Sequence, residues 1–209
     1  METEKEKPIE ELLYFSIILL DKPIGPTSFQ VSQYIKETLK LKKTSHMGTL
    51  DPAVSGLLPI TLNRACKLSN YFMQSDKAYI GIMRLHSNIS LGSLKKEMEY
   101  FLGKIKQKPP VRSNVKRQER IREVKTFKIL ERREKDVLFL VEVQAGTYIR
   151  KLIHDLGERI GGAHMLELRR IKASIFNEAH EEMINLYDFD KIVKDFHNGN
   201  DSCIRRMVD

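Results

Sequence analysis

The 209-residue sequence contains no tryptophan, only two cysteines, and no apolar run near the roughly 20 residues that a membrane-spanning helix needs. Cys66 and Cys203 stand alone, without a CxxC pair or a metal-like spacing. This argues against a disulfide scaffold and a zinc ribbon and predicts two reduced thiols. The charged N-terminus, METEKEKPIEELL, lacks the apolar core of a secretory signal, so we expect an intracellular protein without a membrane partner. No internal repeat or Gly/Ser linker divides the chain, which predicts one domain.

Acidic residues are scarce in one segment. Residues 104–133 carry twelve Lys and Arg but only three Glu, a net charge of +9 within a chain whose total is +8. Most charge runs are solvated surface. This run, however, is of one sign and is interrupted by KPPVRSN, which reads as a loop rather than as a helix of alternating charges. We therefore interpret it as the footprint of a polyanion, and nucleic acid is favoured over a membrane surface because no basic amphipathic helix accompanies it.

The hydrophobic pattern predicts a mixture of strands and helices without strict alternation. YFSIILLDKP and KAYIGIMRLH are typical of strands, as are REVKTFKILER and KDVLFLVEVQ. FQVSQYIKETLKL after a Thr-Ser cap, and the apolar stripe in GTYIRKLIHDLGERIGG, predict helices. The fold class that follows is α+β, with a mostly antiparallel mixed sheet flanked by helices.

The stretch SHMGTLDPAVSGLLPI, residues 45–60, carries the first candidate for chemistry. Asp before Pro is a common turn, and a turn is the default interpretation of Asp51 from those letters alone. Glycines on both sides let the backbone pass close to a ligand, His46 lies five residues before the carboxylate, and the apolar run after it anchors the loop. A rigidly mounted carboxylate without a cofactor motif nearby favours nucleophilic or acid–base work.

Beyond this stretch, the sequence resembles the TruB-like pseudouridine synthases, whose motifs occur here in the family's order. They are KPIGPTS (22–28), HMGTLDPAVSGLLPI (46–60), KAYIGIMRLH (77–86), AGTYIRKLIHDLG (145–157) and GAHMLELRR (162–170). QKPPVRSNVKRQERIRE is similar to the H/ACA branch of that family, the archaeal catalytic subunit related to dyskerin. The resemblance implies the pseudouridine synthase catalytic fold over residues 14–196, with a basic RNA-binding loop at about 104–122, a charged extension at 1–13 and a short tail at 197–209.

The resemblance also implies residue roles. Asp51 is the catalytic aspartate of an enzyme that isomerises uridine in RNA without cofactor or metal, and Arg150 is its counter-charge. Tyr79 stacks on the target base, and His46 sits against the flipped-out nucleotide. Tyr148 and Leu168 shape the uracil pocket, while Lys22 and Pro23 support it. The residues expected to contact the RNA backbone are Arg112, Lys116, Arg117, Arg120 and Arg122.

Each of these roles has a plainer alternative. Tyr79 and Leu168 fit a core, Arg150 fits a helix surface, and His46 fits a structural histidine. His86, His154 and His164 receive no role. A smaller departure from the related branch is Ser174-Ile175, which stands where that branch usually has Gly-Pro and is expected to alter a turn or bulge at a strand end.

Three functions stay open at this point. The first is the catalytic subunit of a guide-RNA H/ACA particle acting on rRNA, the second a standalone enzyme for the T-loop uridine of tRNA, and the third a non-catalytic RNA-binding module. Family members usually carry a C-terminal PUA domain, which is not expected in the thirteen residues after NLYDFDKIVKDF. The expected partners are therefore RNA, small accessory H/ACA proteins and a separate PUA-domain protein. The expected compartment is the cytoplasm in an archaeon and the nucleolus in a eukaryote.

Overall fold

The computed structural model describes residues 7–109, 116–179 and 183–208. Its helices are α1 (Ile9–Tyr14), α2 (Ser28–Thr38), a 3-10 helix (Asn63–Leu68), α3 (Ser69–Met73), α4 (Leu91–Glu99), α5 (Ile149–Ile160), α6 (Leu186–His197) and α7 (Ser202–Val208). Its strands are β1 (Ile17–Lys22), β2 (Thr44–His46), β3 (Ser55–Leu62), β4 (Lys77–Leu85), β5 (Gly103–Gln107), β6 (Arg120–Arg133), β7 (Asp136–Val143), β8 (Ala163–Ala173), β9 (Phe176–Asn177) and β10 (Ile184–Asn185).

The backbone divides into two compact units, Met1–Met73 with Ala173–Asp209, and Gln74–Lys172. In the first unit, β3 pairs antiparallel with β1 and with β2, and β10 adds to β1 in parallel. In the second unit the strand order is β8-β4-β7-β6-β5, and β7 pairs antiparallel with β4 and with β6, as β5 does with β6. The predicted α+β class with mostly antiparallel pairing is confirmed.

The first unit is built around strands that are buried along most of their length. Residues 56–62 of β3 are all buried, as are three consecutive residues of β1. A continuous apolar run of this kind lies in a core rather than at a surface. Helix α2 begins with the capping box that its sequence predicts: Gln30 N donates to Thr27 Oγ1 at 3.1 Å, and Thr27 N donates to Gln30 Oε1 at 2.8 Å.

The second unit contains the helix with the clearest sequence signal. The predicted stripe of α5 is buried, and the helix ends at Gly161, whose φ of 82° is the left-handed conformation that glycine adopts without strain. At the far end of β8, Ser174 has a φ of 61°. Ser174 and Ile175 form a turn there, with serine in a conformation that favours glycine.

Three segments differ from the sequence interpretation. The predicted basic loop is partly strand, because β5 extends to Gln107 and β6 begins at Arg120. This pairing places Lys106 opposite Ile121 in an antiparallel ladder. The predicted tail contains α7, where Ile204 is fully buried, and the predicted extension contains most of α1, where Ile9 is buried. The two helices α1 and α7 were missed for the same reason. Both lie among charged residues, but their apolar residues have helical spacing, and these are the residues that pack into the core.

The described residues contain neither a candidate membrane-spanning helix nor a candidate metal site. Within residues 7–109, 116–179 and 183–208, no helix is both long and apolar enough to cross a membrane. Nor does this part of the chain bring together three or more His, Cys, Asp or Glu side chains that could hold a metal ion.

Candidate active site and its supporting residues

Asp51 is exposed on the loop between β2 and β3, and its backbone is held from both directions. The residue before it, Leu50, donates its N–H to Ser28 Oγ at 2.8 Å, and the same hydroxyl lies 3.1 Å from Leu50 O. Ser28 is fully buried at the start of α2. After the aspartate, Val54 N donates to Asp51 O at 3.0 Å, which closes the predicted Asp-Pro turn. The loop therefore presents the carboxylate to solvent from a fixed backbone.

A second support comes from the KPIGPTS segment. Lys22 is fully buried, and its ammonium group donates to Pro23 O at 2.6 Å and to Pro26 O at 2.9 Å. These carbonyl groups stabilise the charge in place of water. Gly25 then donates its N–H to Pro52 O at 2.8 Å, next to the aspartate. The buried Lys22 thus fixes the segment from Pro23 to Pro26, and Gly25 of that segment holds the loop that carries Asp51.

His46 closes the short strand β2, where it pairs with Ile60 of β3 and is half-buried. Met47 follows and donates its N–H to Pro59 O at 3.0 Å, so the pairing continues past the strand end. The histidine is therefore on a paired strand of the same unit as Asp51. Its contact with a nucleotide stays a prediction.

Tyr79 lies on β4 in the second unit and is half-buried. Its side chain is hydrogen-bonded to Arg170 of β8, which is only 1% exposed. Burial lowers the pKa of the Arg170 guanidinium, and the bond to Tyr79 opposes that shift. Lys77, two residues before Tyr79 on the same face of β4, is also buried. Sequence reasoning missed both cations, although inward positions on an alternating strand were a signal for them.

Leu168 is buried on β8 and packs against the backbone of β4. A Cβ atom built on Gly81 would lie 3.0 Å from Leu168 Cδ1 and 2.9 Å from Glu167 O, so no side chain larger than hydrogen fits there. Core packing, the plainer alternative for Leu168, is thus present. Its contribution to a base pocket stays a prediction.

Tyr148 and Arg150 begin α5. The backbone of Tyr148 is held by Gln107 of β5: Tyr148 N donates to Gln107 Oε1 at 3.0 Å, and Gln107 Nε2 donates to Tyr148 O at 3.2 Å. Gln107 is 2% exposed, so this two-way bond fixes the start of the helix from inside the unit. Arg150, in the first turn, is exposed. The sequence carried no motif that would have identified Gln107.

The basic residues fall into three groups. Arg112 lies outside the described residues. Lys116 and Arg117 are exposed, with Arg117 Nε 3.4 Å from Pro109 O. Arg120 and Arg122 are on β6, and neither Nε atom has a hydrogen-bond partner within the described ranges, although both atoms are buried. Contact of these residues with the RNA backbone stays a prediction.

Two histidines that received no role from the sequence are in contact. His86 Nε2 lies 2.7 Å from His164 Nδ1, with the ring centroids 5.0 Å apart. Gly162 makes this possible, since a Cβ at that position would lie 2.4 Å from His86 Nδ1. Their spacing in sequence, 78 residues, gave no indication of the contact.

The buried Lys77 makes the stability of the second unit depend on pH. Burial first, and repulsion by Arg170 second, lower its pKa to about 8, while Asp76 opposes the shift. Below pH 8 both folded and unfolded chains carry the proton and the burial penalty is complete. Between about 8 and 10.5 the unfolded chain binds more protons, so stability rises with pH. We expect wild type to gain about 1–2 kcal/mol over Lys77→Met between pH 7.5 and 9.5 in urea unfolding.

Lys125→Met is the matched control for that experiment. The Lys125 ammonium binds Asp76 at the surface, and this hydrogen bond raises its pKa. The contribution of Lys125 to stability is therefore lost only at a pH above the usual pKa of lysine. The stability of Lys125→Met should run parallel to that of wild type from about pH 7.5 to 9.5. A Lys77→Met curve parallel to wild type over the same range would contradict the burial argument.

Comparison with known proteins agrees with the motif order. The TruB family pseudouridylate synthase N-terminal domain matches residues 36–99, and the tRNA pseudouridylate synthase B C-terminal domain matches residues 150–209. A probable tRNA pseudouridine synthase B of Methanopyrus kandleri is 46% identical over 185 residues, which are 88% of this chain and 54% of the relative. One of Nanoarchaeum equitans is 45% identical over 203 residues, which are 96% of this chain and 58% of the relative.

Solved structures show the same likeness. A chain of a Cbf5-Nop10-Gar1 complex matches with a TM-score of 0.92 at 42% identity, over 97% of this chain and 62% of that one. A chain of an H/ACA RNP bound to a substrate RNA containing 2′-deoxyuridine matches with a TM-score of 0.87 at 40% identity, over 96% and 61%. The chain thus spans less than two thirds of each of these relatives.

Proposed function

The chain belongs to the TruB family of pseudouridylate synthases, and we propose that it isomerises uridine to pseudouridine in RNA with Asp51 as the catalytic carboxylate. The observation that carries this proposal is the mounting of Asp51: an exposed carboxylate on a loop fixed by Ser28 on one side and by Gly25 on the other. A carboxylate held in one position loses little entropy on reaching the sugar of a bound nucleotide.

The reaction exchanges one bond within the nucleotide. The C1′–N1 bond breaks, the base turns, and a C1′–C5 bond forms, while C5 gives up a proton and N1 gains one. Atoms and electrons balance without an oxidant or reductant. In keeping with the family resemblance, the proposal includes no cofactor and no metal. The Asp51 carboxylate serves either by attacking C1′ or by removing a proton from the sugar.

The other site residues enter the proposal through the family resemblance. Arg150 is the proposed counter-charge of the Asp51 carboxylate. Tyr79 stacks on the extruded base, and the buried Arg170 bonded to it supports that role by orienting the ring. Tyr148 and Leu168 line the base pocket, and His46 contacts the flipped nucleotide, whose extrusion costs a few kcal/mol.

The favoured RNA is a guided target within an H/ACA particle, supported by the TM-score of 0.92 to the Cbf5-Nop10-Gar1 complex. The partners on this assignment are a guide RNA and small accessory H/ACA proteins, in the cytoplasm of an archaeon or the nucleolus of a eukaryote. The curated relatives support a second candidate, since they are named tRNA pseudouridine synthase B.

Pseudouridine formation on two RNAs separates these candidates. Wild-type chain is incubated with a tRNA transcript alone, and with a target RNA in the presence and absence of a guide RNA. Activity that requires the guide supports the H/ACA assignment, and guide-independent modification of tRNA supports the second candidate. No modification in any arm, with RNA binding retained, would overturn the enzymatic proposal in favour of a binding module.

Backbone binding by the basic segment yields a separate prediction. Replacing Lys116, Arg117, Arg120 and Arg122 together by Gln should weaken RNA binding and flatten its salt dependence. Each phosphate that the variant no longer neutralises removes ~0.7–0.9 from the slope of log K against log salt. The measurement is a series of binding isotherms between about 50 and 200 mM salt, a range over which affinity falls about 10³–10⁵-fold when many phosphates are neutralised.

The control makes the same charge change elsewhere in the second unit. The control residues are Arg84, Lys95, Lys96 and Lys135, exposed cations of this unit outside residues 104–133, and their replacement by Gln should leave the slope close to that of wild type. Equal slopes for the two variants would remove Lys116–Arg122 from the RNA-binding surface.

A further inference from the structure

The first unit has a groove that shares only His46 with the proposed site. It has a volume of about 220 Å³ and lies between α2 and the segment that leads into β2. Its lining includes three lysines, two aromatic rings and a threonine, and we call it the lysine groove. These residues are Phe29, Lys36, Lys42, Lys43, Thr44 and His46. Sequence reasoning placed the RNA backbone contacts in the basic loop at about 104–122 and assigned nothing to these lysines.

The lysine groove carries positive charge that the protein does not neutralise. Among the described residues, no Asp or Glu lines it, and none of the three ammonium groups forms an ion pair. The acid on the same stretch of helix, Glu37, accepts a hydrogen bond from Gln33 Nε2 at 2.6 Å. Three like charges around one concavity repel one another, and an anion in the groove relieves that repulsion.

The backbone that carries Lys42 and Lys43 is fixed. Asn63 Oδ1 accepts from Lys42 N at 3.1 Å and from Lys43 N at 3.2 Å, and Asn63 N donates to Lys43 O at 2.8 Å. Asn63 itself has a φ of 45°, a conformation uncommon for residues other than glycine. Two lysines on a turn with a fixed backbone differ from a freely solvated charge run, because the backbone of both lysines is held before a ligand arrives.

Thr44 is held in a similar way. Thr44 Oγ1 donates to Ser32 O at 2.9 Å and lies 3.0 Å from Ser32 Oγ, which ties the segment to α2. The segment that carries Lys42 and Lys43 is therefore tied to the helix that carries Lys36.

Flat rings stand beside the charges. Phe29 is 70% exposed on α2, and His46 is half-buried at the end of β2. An aromatic face next to lysines in a groove is the combination that binds single-stranded nucleic acid, where bases stack and phosphates are neutralised. A protein partner with acidic side chains would use the lysines but would leave the exposed ring unexplained.

The groove is connected to Asp51 through its own elements. Helix α2 carries Phe29 and Lys36, and its first residue, Ser28, holds Leu50 beside Asp51. His46 lies on the strand that leads into the same loop. A strand of RNA bound in the groove is thereby placed within a few nucleotides of the carboxylate.

We infer that the lysine groove binds the phosphates of a single-stranded RNA segment next to the target uridine, with Phe29 stacking on one of its bases. The inference rests on the proposed function for the identity of the target, but its own test is binding and does not require turnover. It adds a second backbone site, on the first unit, to the one predicted at Lys116–Arg122.

The test compares two triple variants that each remove three positive charges. In the groove variant, Lys36, Lys42 and Lys43 are replaced by Gln. In the control, Lys67, Lys191 and Lys194 are replaced by Gln, and these are lysines of the same unit that do not line the groove. Binding of a ten-nucleotide oligouridylate to the full chain is measured between about 50 and 200 mM salt, with thermal melts to show that both variants fold.

The groove variant is expected to bind at least about tenfold more weakly at about 100 mM salt. Its salt slope should fall by about 2, from ~0.7 for each of three phosphates. The control should stay within about twofold of wild type. Equal losses in both variants, or no loss in either, would overturn the inference, and in the second case an acidic protein would be the partner to test.

RNA with an uncharged linkage shows directly whether the lysine groove binds a phosphate. A methylphosphonate placed at one linkage in turn removes a single RNA charge, and at the linkages that the groove holds it should weaken wild type but not the groove variant. Wild type that modifies RNA while both variants bind equally would end the groove proposal and leave the enzymatic one intact. Wild type that neither binds nor modifies RNA would overturn both.

Discussion

Asp51→Asn is expected to abolish pseudouridine formation, with a loss of at least about a thousandfold in rate. The amide has nearly the shape of the carboxylate but neither its charge nor its basicity, so it can neither attack C1′ nor remove a sugar proton. Because the loop is held at Leu50 and Pro52 through the backbone, the substitution should not alter the fold. RNA affinity should stay the same or increase, since a negative charge has been removed from the surface that meets the RNA.

The measurement is single-turnover conversion on whichever RNA wild type modifies, with binding measured in parallel. Asp195→Asn, on α6 of the same unit, makes the same chemical change away from the site and should retain full activity. Asp51→Glu adds one methylene and should also be severely impaired, because a rigid loop cannot retreat to accommodate it. Substantial activity in Asp51→Asn would remove this residue from the mechanism.

Of the substitutions considered for stability, Gly157→Ala should cause the largest loss in the free energy of unfolding. A Cβ atom at this position would lie 2.5 Å from Ala163 N, a distance that real Cβ atoms do not reach, and 3.1 Å from Ala163 O. Both atoms are backbone, so the clash is relieved only by moving α5 away from the start of β8. We expect a loss of about 3 kcal/mol in urea unfolding. Because α5 begins at the site residues Tyr148 and Arg150, catalysis should fall with it.

Gly92→Ala is the matched control, since it makes the same substitution in a helix where the new Cβ meets nothing within 4 Å. It should be neutral or stabilise by up to about 1 kcal/mol, because Ala loses less backbone entropy than Gly in a helix. A Gly157→Ala variant as stable as Gly92→Ala would mean that α5 and β8 do not approach as closely as the structure has them.

Local pattern was enough wherever a signal lies within one element. The stripe of α5, the Thr27 cap of α2 and the turn at Asp51 are all present, because each depends on residues three or four positions apart. The strand partners of the basic segment were missed, since pairing between Lys106 and Ile121 is invisible in either stretch alone. Helix α7 was missed because its apolar residues are few and lie among charges.

By itself, the sequence determined the reactive group, a carboxylate at Asp51, and the order of the motifs around it. It also determined the local secondary structure that carries them. Tertiary structure alone decided what holds that chemistry in place. Ser28 and Leu50 are 22 residues apart, Gln107 and Tyr148 are 41 apart, and Tyr79 on β4 is bonded to Arg170 on the neighbouring strand β8. The physical reason is burial: a polar group without water must find a partner, and only the folded chain specifies which partner is within reach.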